Sequence, residues 1–180
     1  MNLSSESIVG GWLTGVKVES EVREGRITID PFSQECLNPN SYNYHLDRQL
    51  KRLTSPIIDC RKEDDFEEII IPENGYVLEP GQCYLGSTIE VFGSNYFASL
   101  VTGRSSVGRK FITNHITAGL IDQGFFGHIT LEITVQRKTR VYPRMRFGQI
   151  FWFSVVGETN LYRGKYQNQV GSSASRLHKD

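Results

Sequence analysis

Two arginines, two serine hydroxyls, an aspartate and a glutamate fall within about thirty residues of otherwise strand-forming sequence. They lie in Gly103-Arg104-Ser105-Ser106-Val107-Gly108-Arg109, in Thr117-Ala118-Gly119-Leu120-Ile121-Asp122-Gln123-Gly124-Phe125, and in Leu131-Glu132. Guanidinium and hydroxyl groups suit phosphate oxygens. A carboxylate beside an apolar strand suits proton transfer. A glycine-punctuated turn lets backbone amides come close to a flat ligand. The combination points to a phosphorylated small molecule with a carboxylate doing chemistry on it.

Two more familiar readings of the first segment fail. Gly103 and Gly108 have the spacing of a phosphate-binding P-loop, but the lysine followed by Ser or Thr is missing and residues 111–113 are strand formers. A nucleophilic serine elbow fails because Val107 stands where its second glycine belongs. What remains is a phosphate cradle of Arg104, Ser105, Ser106 and Arg109, or else a surface turn with incidental charges. Asp122 precedes a glycine turn and could simply form it. Glu132, between Leu131 and Ile133, lies either on a solvated sheet face or in a site with a tuned pKa. The two readings stand equal on these residues alone.

The elements that must position these groups are mostly short strands. Residues 128–135 show the cleanest period of two, with Ile129, Leu131, Ile133 and Val135 on one face. His128, Thr130, Glu132 and Thr134 occupy the other. Residues 26–30 form a strand stopped by Pro31, and residues 41–53 alternate loosely. Residues 69–71 begin a further series, with turns at Asn74-Gly75 and Pro80-Gly81. Strands are expected at 76–78, 83–92 and 96–101, and residues 149–156 have the apolar density of a fully buried strand. A helix is expected over residues 8–13, capped by Ser4 and Ser5 and stopped near Gly15. The five acids of residues 63–68 read as a solvated loop. Many short strands, one small helix and no alternation of strands with helices predict a mainly β jelly roll or barrel.

The chain has 180 residues, so one domain is expected. Twenty basic residues balance twenty acidic ones, which argues against a nucleic-acid or membrane-surface binder. No apolar run reaches the length of a membrane span and the N-terminus lacks a signal-peptide layout, so a cytoplasmic protein is expected. Cys36, Cys60 and Cys83 are widely separated and read as reduced, mostly buried thiols. The four histidines, His45, His115, His128 and His178, show no metal-ligand spacing, so no zinc site is expected. Residues 162–180 are basic and rich in glycine and serine, and read as a frayed tail or as a flap over an anionic ligand.

Taken together in order, these segments resemble the dCTP deaminases of the trimeric dUTPase superfamily, nearly end to end. The resemblance is carried by Gly103 to Arg109, by Thr117 to Glu132, by residues 144–149, and by Lys165-Tyr166, Gln169, Gly171 and Ser175-Arg176. Residues 77–81 and 86–90 match the family's strand pair before the loop. The resemblance implies a distorted jelly-roll barrel over residues 1–161 and a flap over residues 162–180. It implies a homotrimer with sites between subunits, dCTP and then dUTP as substrates, and Mg2+ held through the triphosphate. By position, Glu132 would activate water for attack on cytosine C4, with Ser105 and Arg109 holding that water and the developing charge. Arg104 and Ser106 would meet the site wall and the phosphates. Thr117, Ala118 and Gly119 would border the base, Asp122 the deoxyribose 3′-hydroxyl, and Tyr162, Lys165 and Gln169 would clamp the triphosphate. Gly119 occupies the position that is glycine in members that also hydrolyse dUTP, which favours a bifunctional enzyme. A dUTPase without deaminase activity and a silent nucleotide-binding regulator are the alternatives.

The chain departs from the family pattern around the site. Asn43 stands for aspartate after Ser41-Tyr42, Gln123 for proline after Asp122, and Lys110-Phe111-Ile112 for Leu-Gly-Leu.

Overall fold

The structure, a computed structural model, describes residues 11–179. One helix, α1 (Gly15–Arg23), precedes β1 (Thr28–Asp30), β2 (Leu37–Asn38), β3 (Ser41–His45), β4 (Gln49–Leu53) and β5 (Phe66–Ile70). Then come β6 (Tyr76–Leu78), β7 (Tyr84–Ser87), β8 (Val91–Gly93), β9 (Phe97–Gly103) and the single-turn α2 (Ser105–Gly108). The last strands are β10 (Ile112–Thr113), β11 (Leu120–Ile121), β12 (Phe126–Gly127), β13 (Thr130–Val135), β14 (Thr139–Val141) and β15 (Arg146–Ser154).

Two five-stranded sheets, in the orders β10-β13-β7-β4-β5 and β11-β9-β15-β3-β2, dominate; β1-β8-β12 and β14-β6 complete the set. Every pairing is antiparallel. The two large sheets share one core, into which the first sends Leu50, Tyr84, Leu131 and Ile133 and the second Tyr42, Tyr44, Val101, Ile150 and Trp152. This is the mainly β, jelly-roll-like architecture expected. No described helix is long and apolar enough to cross a membrane.

The period of two in β13 appears as expected, with Leu131, Ile133 and Val135 buried and Thr130, Glu132 and Thr134 half-exposed. Four local expectations need correction. The helix starts at Gly15, where a stop was expected, and of the expected segment only residues 11–13 are described; none is helical. Thr14 caps it by accepting from the Lys17 amide at 3.3 Å. Gly15 is glycine for another reason: a Cβ there would lie 2.1 Å from the Asn38 carbonyl oxygen. The acidic run is not all loop, because Phe66 begins β5. Its acids meet bases across the ladder, Glu67 with Arg52 and Glu68 with Lys51 at 3.5 Å.

Residues 83–92 form two strands. The Thr88 hydroxyl donates to the Glu90 carbonyl at 2.8 Å and accepts from the Ile129 amide at 3.0 Å, turning the chain from one sheet to another. Finally, β15 is buried on one face only. Ile150 and Trp152 point to the core, Phe151 and Phe153 are half-buried outside, and Val155 and Val156 are exposed beyond its end. The cysteines are all free, but only Cys36 is buried; Cys60 and Cys83 are exposed.

Leu131 is fully buried immediately beside Glu132 in sequence. Leu131→Ala is expected to cost about 2–5 kcal/mol in denaturant unfolding, from lost transfer energy plus the cavity left behind. Replacing the exposed Ile70 by Thr is expected to change stability by no more than about 0.5 kcal/mol in the same assay.

Candidate active site

The outer face of β13 floors a cavity of about 520 Å³. Strand register assembles this floor. Glu132 pairs with Leu85, Leu85 with Lys51, and Leu53 with Phe66, so side chains on one face follow each other from strand to strand. The floor is therefore polar along β13, at Thr130, Glu132 and Thr134, and apolar further over, at Leu85, Leu53 and Phe66. Ile116 and Ala118 form one wall, and Tyr166, Gln169, Ser173 and Ser175 lie over the opening.

The Glu132 carboxylate is the charged centre of this floor. His115 Nδ1 stands 2.8 Å from Glu132 Oε2, an ion-pair contact off the alignment of a full hydrogen bond. The Ile116 amide donates to the same oxygen at 3.2 Å. Burial pushes the carboxyl pKa up, but the His115 contact and the Ile116 amide outweigh it, and the net shift is down from the ordinary value. The group is thus a carboxylate at neutral pH, free to accept a proton.

The residues around it are held from below. The buried Asn114 side chain donates to the Tyr44 hydroxyl at 3.0 Å and to the Phe147 carbonyl at 3.1 Å. Tyr44 in turn donates to the Thr102 carbonyl at 3.3 Å. Asn114 thereby pins the end of β10 to the second sheet and sets the height of His115 and Ile116. The fit is close: a Cβ on Gly148 would lie 2.0 Å from the Tyr44 oxygen.

The C-terminal segment is laid over β12 and β13. The Tyr162 amide donates to the Gln123 carbonyl at 2.7 Å and the Asn168 amide to the Phe126 carbonyl at 2.8 Å. Gln169 Nε2 donates to the His128 carbonyl at 2.6 Å and to the Thr130 hydroxyl at 3.1 Å. The Ser173 amide also donates to the Thr130 hydroxyl, at 3.0 Å. Tyr166 sits under two cations, Lys165 and Arg176, at 5.8 and 5.6 Å from its ring centre.

Of the residues singled out from sequence, the chain brings Glu132, Ala118 and Gln169 together in the cavity. Arg104, Ser106 and Arg109 line a different groove, of about 710 Å³, and Ser105 is exposed at the start of α2. Thr117 and Asp122 are exposed and outside the cavity lining. The Asp122 backbone carbonyl closes its turn, accepting from the Phe125 amide at 3.3 Å. Gly119 is buried, and a Cβ there would lie 2.7 Å from the Val101 carbonyl oxygen. Tyr162 packs its ring on Phe125 at 5.9 Å, and Lys165 donates to the Arg176 carbonyl at 3.2 Å.

His115 was not singled out, nor was the apolar floor, and Tyr166 was named only as part of a motif, with no role in the site. No spacing rule links His115 to Glu132. Only the pairing of Thr113 with Thr134 brings the end of β10 alongside the carboxylate.

Residues 12–155 match the model of the dCTP deaminase-like family. Over 169 residues the chain is 43% identical to a "dCTP deaminase, dUMP-forming" of Hathewaya histolytica, covering 93% of this chain and 98% of that one. It is 41% identical to the protein of that name from Clostridium botulinum (strain Alaska E43 / Type E3), covering 93% and 97%. The fold is similar to a crystal structure of 2′-deoxycytidine 5′-triphosphate deaminase from Agrobacterium tumefaciens, with TM-score 0.66 and 19% identity. That match covers 81% of this chain and 49% of the solved one, so the chain spans about half the length of that structure. The chain belongs to the dCTP deaminase-like family.

His115→Ala removes the contact that most lowers the Glu132 pKa, leaving burial to raise it. The carboxylate then protonates at higher pH. The acid limb of the rate profile for the conversion proposed below, taken as kcat/KM against pH, is expected to move to higher pH in this variant. An unmoved limb would separate His115 from the titration of Glu132.

Proposed function

We propose that this chain deaminates dCTP to dUTP and ammonia, and hydrolyses the dUTP to dUMP and pyrophosphate. The observation that carries this reading is the ionised, half-buried Glu132 carboxylate on the floor of a cavity within the roughly 300–1,000 Å³ range of small-molecule sites. The relatives named above as dUMP-forming support the second step.

Glu132 takes a proton from water as its oxygen bonds to cytosine C4. The same carboxyl gives that proton to N3, then takes the C4 hydroxyl proton as the C4 carbonyl forms and passes it to the amino group, and the C–N bond breaks to release ammonia. One group can serve both steps because it starts ionised. The apolar strands beside it, at Leu85 and Leu53, exclude water from the pyrimidine face. Ala118 borders the base and Gln169 binds from the C-terminal segment. Thr117, Asp122, Lys165 and Tyr162, outside this lining, keep the roles that the family resemblance gives them, at the base edge, the 3′-hydroxyl and the triphosphate. In this reading residues 162–180 are a flap and residues 1–161 the barrel. Gly119 stands at the position that the resemblance gives as glycine in members that also hydrolyse dUTP; the glycine itself is required locally, since a Cβ there would lie 2.7 Å from the Val101 carbonyl oxygen.

The active unit in this reading is a homotrimer. Arg104, Ser106 and Arg109 line a groove separate from their own chain's Glu132, and in this reading they and Ser105 serve the site of an adjacent copy. A surface able to bury itself supports assembly. On the outer face of the second sheet Leu100 pairs with the exposed Leu120 and with Phe151, and Trp12 stacks on Phe151 at 4.2 Å. Among the described residues no group of three or more His, Cys, Asp or Glu is placed to hold a metal ion. In this reading Mg2+ is held through the substrate's phosphates. Bound there, the ion would neutralise phosphate charge.

Purified protein given dCTP and Mg2+ is expected to yield dUMP and pyrophosphate without accumulating dUTP, as read by chromatography. Glu132→Gln is expected to lower deamination by about 10²–10⁴-fold and to spare most hydrolysis of added dUTP. Undiminished deamination in that variant would overturn the assignment of Glu132 as the base.

A further inference from the structure

The groove that Arg104, Ser106 and Arg109 line holds more positive charge than their proposed roles use. Seven basic residues and no acidic ones line it, in a chain whose net charge is zero. Three of these cations are satisfied elsewhere: Lys138 lies 3.1 Å from Glu79, Arg146 3.5 Å from Glu35, and Arg140 reaches the Asn74 and Gly75 carbonyls. The other four, Arg104, Arg109, Lys110 and Arg137, have no ion pair or side-chain hydrogen bond among the described residues. Like charges gathered without counter-charges repel one another, and an anion bound among them relieves that repulsion.

Lys110 stands outside the family pattern, which has leucine there, and Arg137 lies in the turn after β13. Sequence spacing does not relate them. The pairing of β10 with β13 does, because Ile112 lies opposite Val135 and the Gln136 amide donates to the Phe111 carbonyl at 3.1 Å. That end of the ladder brings the chain on either side, Lys110 before β10 and Arg137 after β13, to one groove. Phe111 between them holds a left-handed φ of 58° with its side chain exposed.

We propose that this groove takes the polyphosphate chain of the nucleoside triphosphate, and that Lys110 and Arg137 are phosphate-binding residues in addition to Arg104 and Ser106. The inference rests on the reading above, in which Arg104 and Ser106 meet the phosphates of a nucleotide seated in an adjacent copy. Three cations, Arg104, Lys110 and Arg137, suit the charge of a triphosphate better than that of a monophosphate. Lys110 and Arg137 then favour triphosphates over shorter substrates through KM, and leave the chemistry at Glu132 alone.

The test uses the full chain and two readouts. Inorganic tripolyphosphate is titrated calorimetrically into wild type, into Lys110→Ala with Arg137→Ala combined, and into Lys138→Ala as a control whose charge is already paired. Steady-state kinetics on dCTP follow for the same proteins, with thermal unfolding to confirm that each is folded. The double variant is expected to bind tripolyphosphate at least about tenfold more weakly and to raise KM for dCTP about tenfold, the scale of losing charged hydrogen bonds. Its kcat should stay within about twofold of wild type, and Lys138→Ala should change neither constant by more than that. No detectable binding by wild type, equal binding by the double variant, or an unchanged KM would each overturn the proposal. If wild type fails to turn over dCTP yet binds tripolyphosphate through Lys110 and Arg137, the enzymatic reading falls and the groove stands. If dCTP is turned over with unchanged KM in the double variant, the groove falls and the enzyme stands.

Discussion

The contact between Glu132 and the turn at His115 and Ile116 is the interaction on which this molecule's chemistry depends. A carboxylate half withdrawn from water is penalised for its charge. One imidazole and one backbone amide, at 2.8 and 3.2 Å, reverse that penalty. Neither donor is placed by β13 itself. Both come from the segment after β10, and that segment is held by Asn114, whose amide is shared between Tyr44 and Phe147 in the second sheet. The ionisation of one side chain thus rests on contacts that join both sheets of the barrel, and the closeness of Gly148 to Tyr44 leaves no slack for the joint to drift.

The same strand divides the labour of folding and function by alternation. Leu131, Ile133 and Val135 are buried in the core, and Thr130, Glu132 and Thr134 face the cavity two residues apart. Thr130 does more than line it, since its hydroxyl accepts from Gln169 and from the Ser173 amide and so ties the C-terminal segment to the floor. The basic groove is built differently. It sits at the other end of the β10–β13 ladder, where α2 leaves the sheet, and four of its seven cations have no ion pair among the described residues. The carboxylate floor and the cationic groove lie on separate surfaces of this chain.

Some segments misled because one local pattern had two physical causes. Gly15 read as a helix stop, yet it is glycine because the Asn38 backbone passes where a side chain would be. The acids of residues 63–68 read as solvated, yet Glu67 and Glu68 are strand residues facing Arg52 and Lys51 across a ladder. The apolar density of β15 read as full burial, yet Phe151 and Phe153 belong to an outward face. In each case the deciding neighbour is distant in sequence, so local propensity could not report it.

Sequence alone determined the short-strand architecture, the alternation that aims Glu132 away from the core, and the ordered motifs that place the chain in its family. Those properties are encoded by residue type and spacing along one stretch of chain, where the period of two and the turn dipeptides act directly on the backbone. Tertiary structure alone decided that His115 is the partner of Glu132, that Gln169 returns to Thr130, that Lys110 and Arg137 share one groove with Arg104, and that Ser105 and Arg109 lie apart from the carboxylate they were expected to assist. Each of these depends on which strands pair and in what register. That is settled by burying both sheets against a common core, and it leaves no trace in the spacing of the residues it brings together.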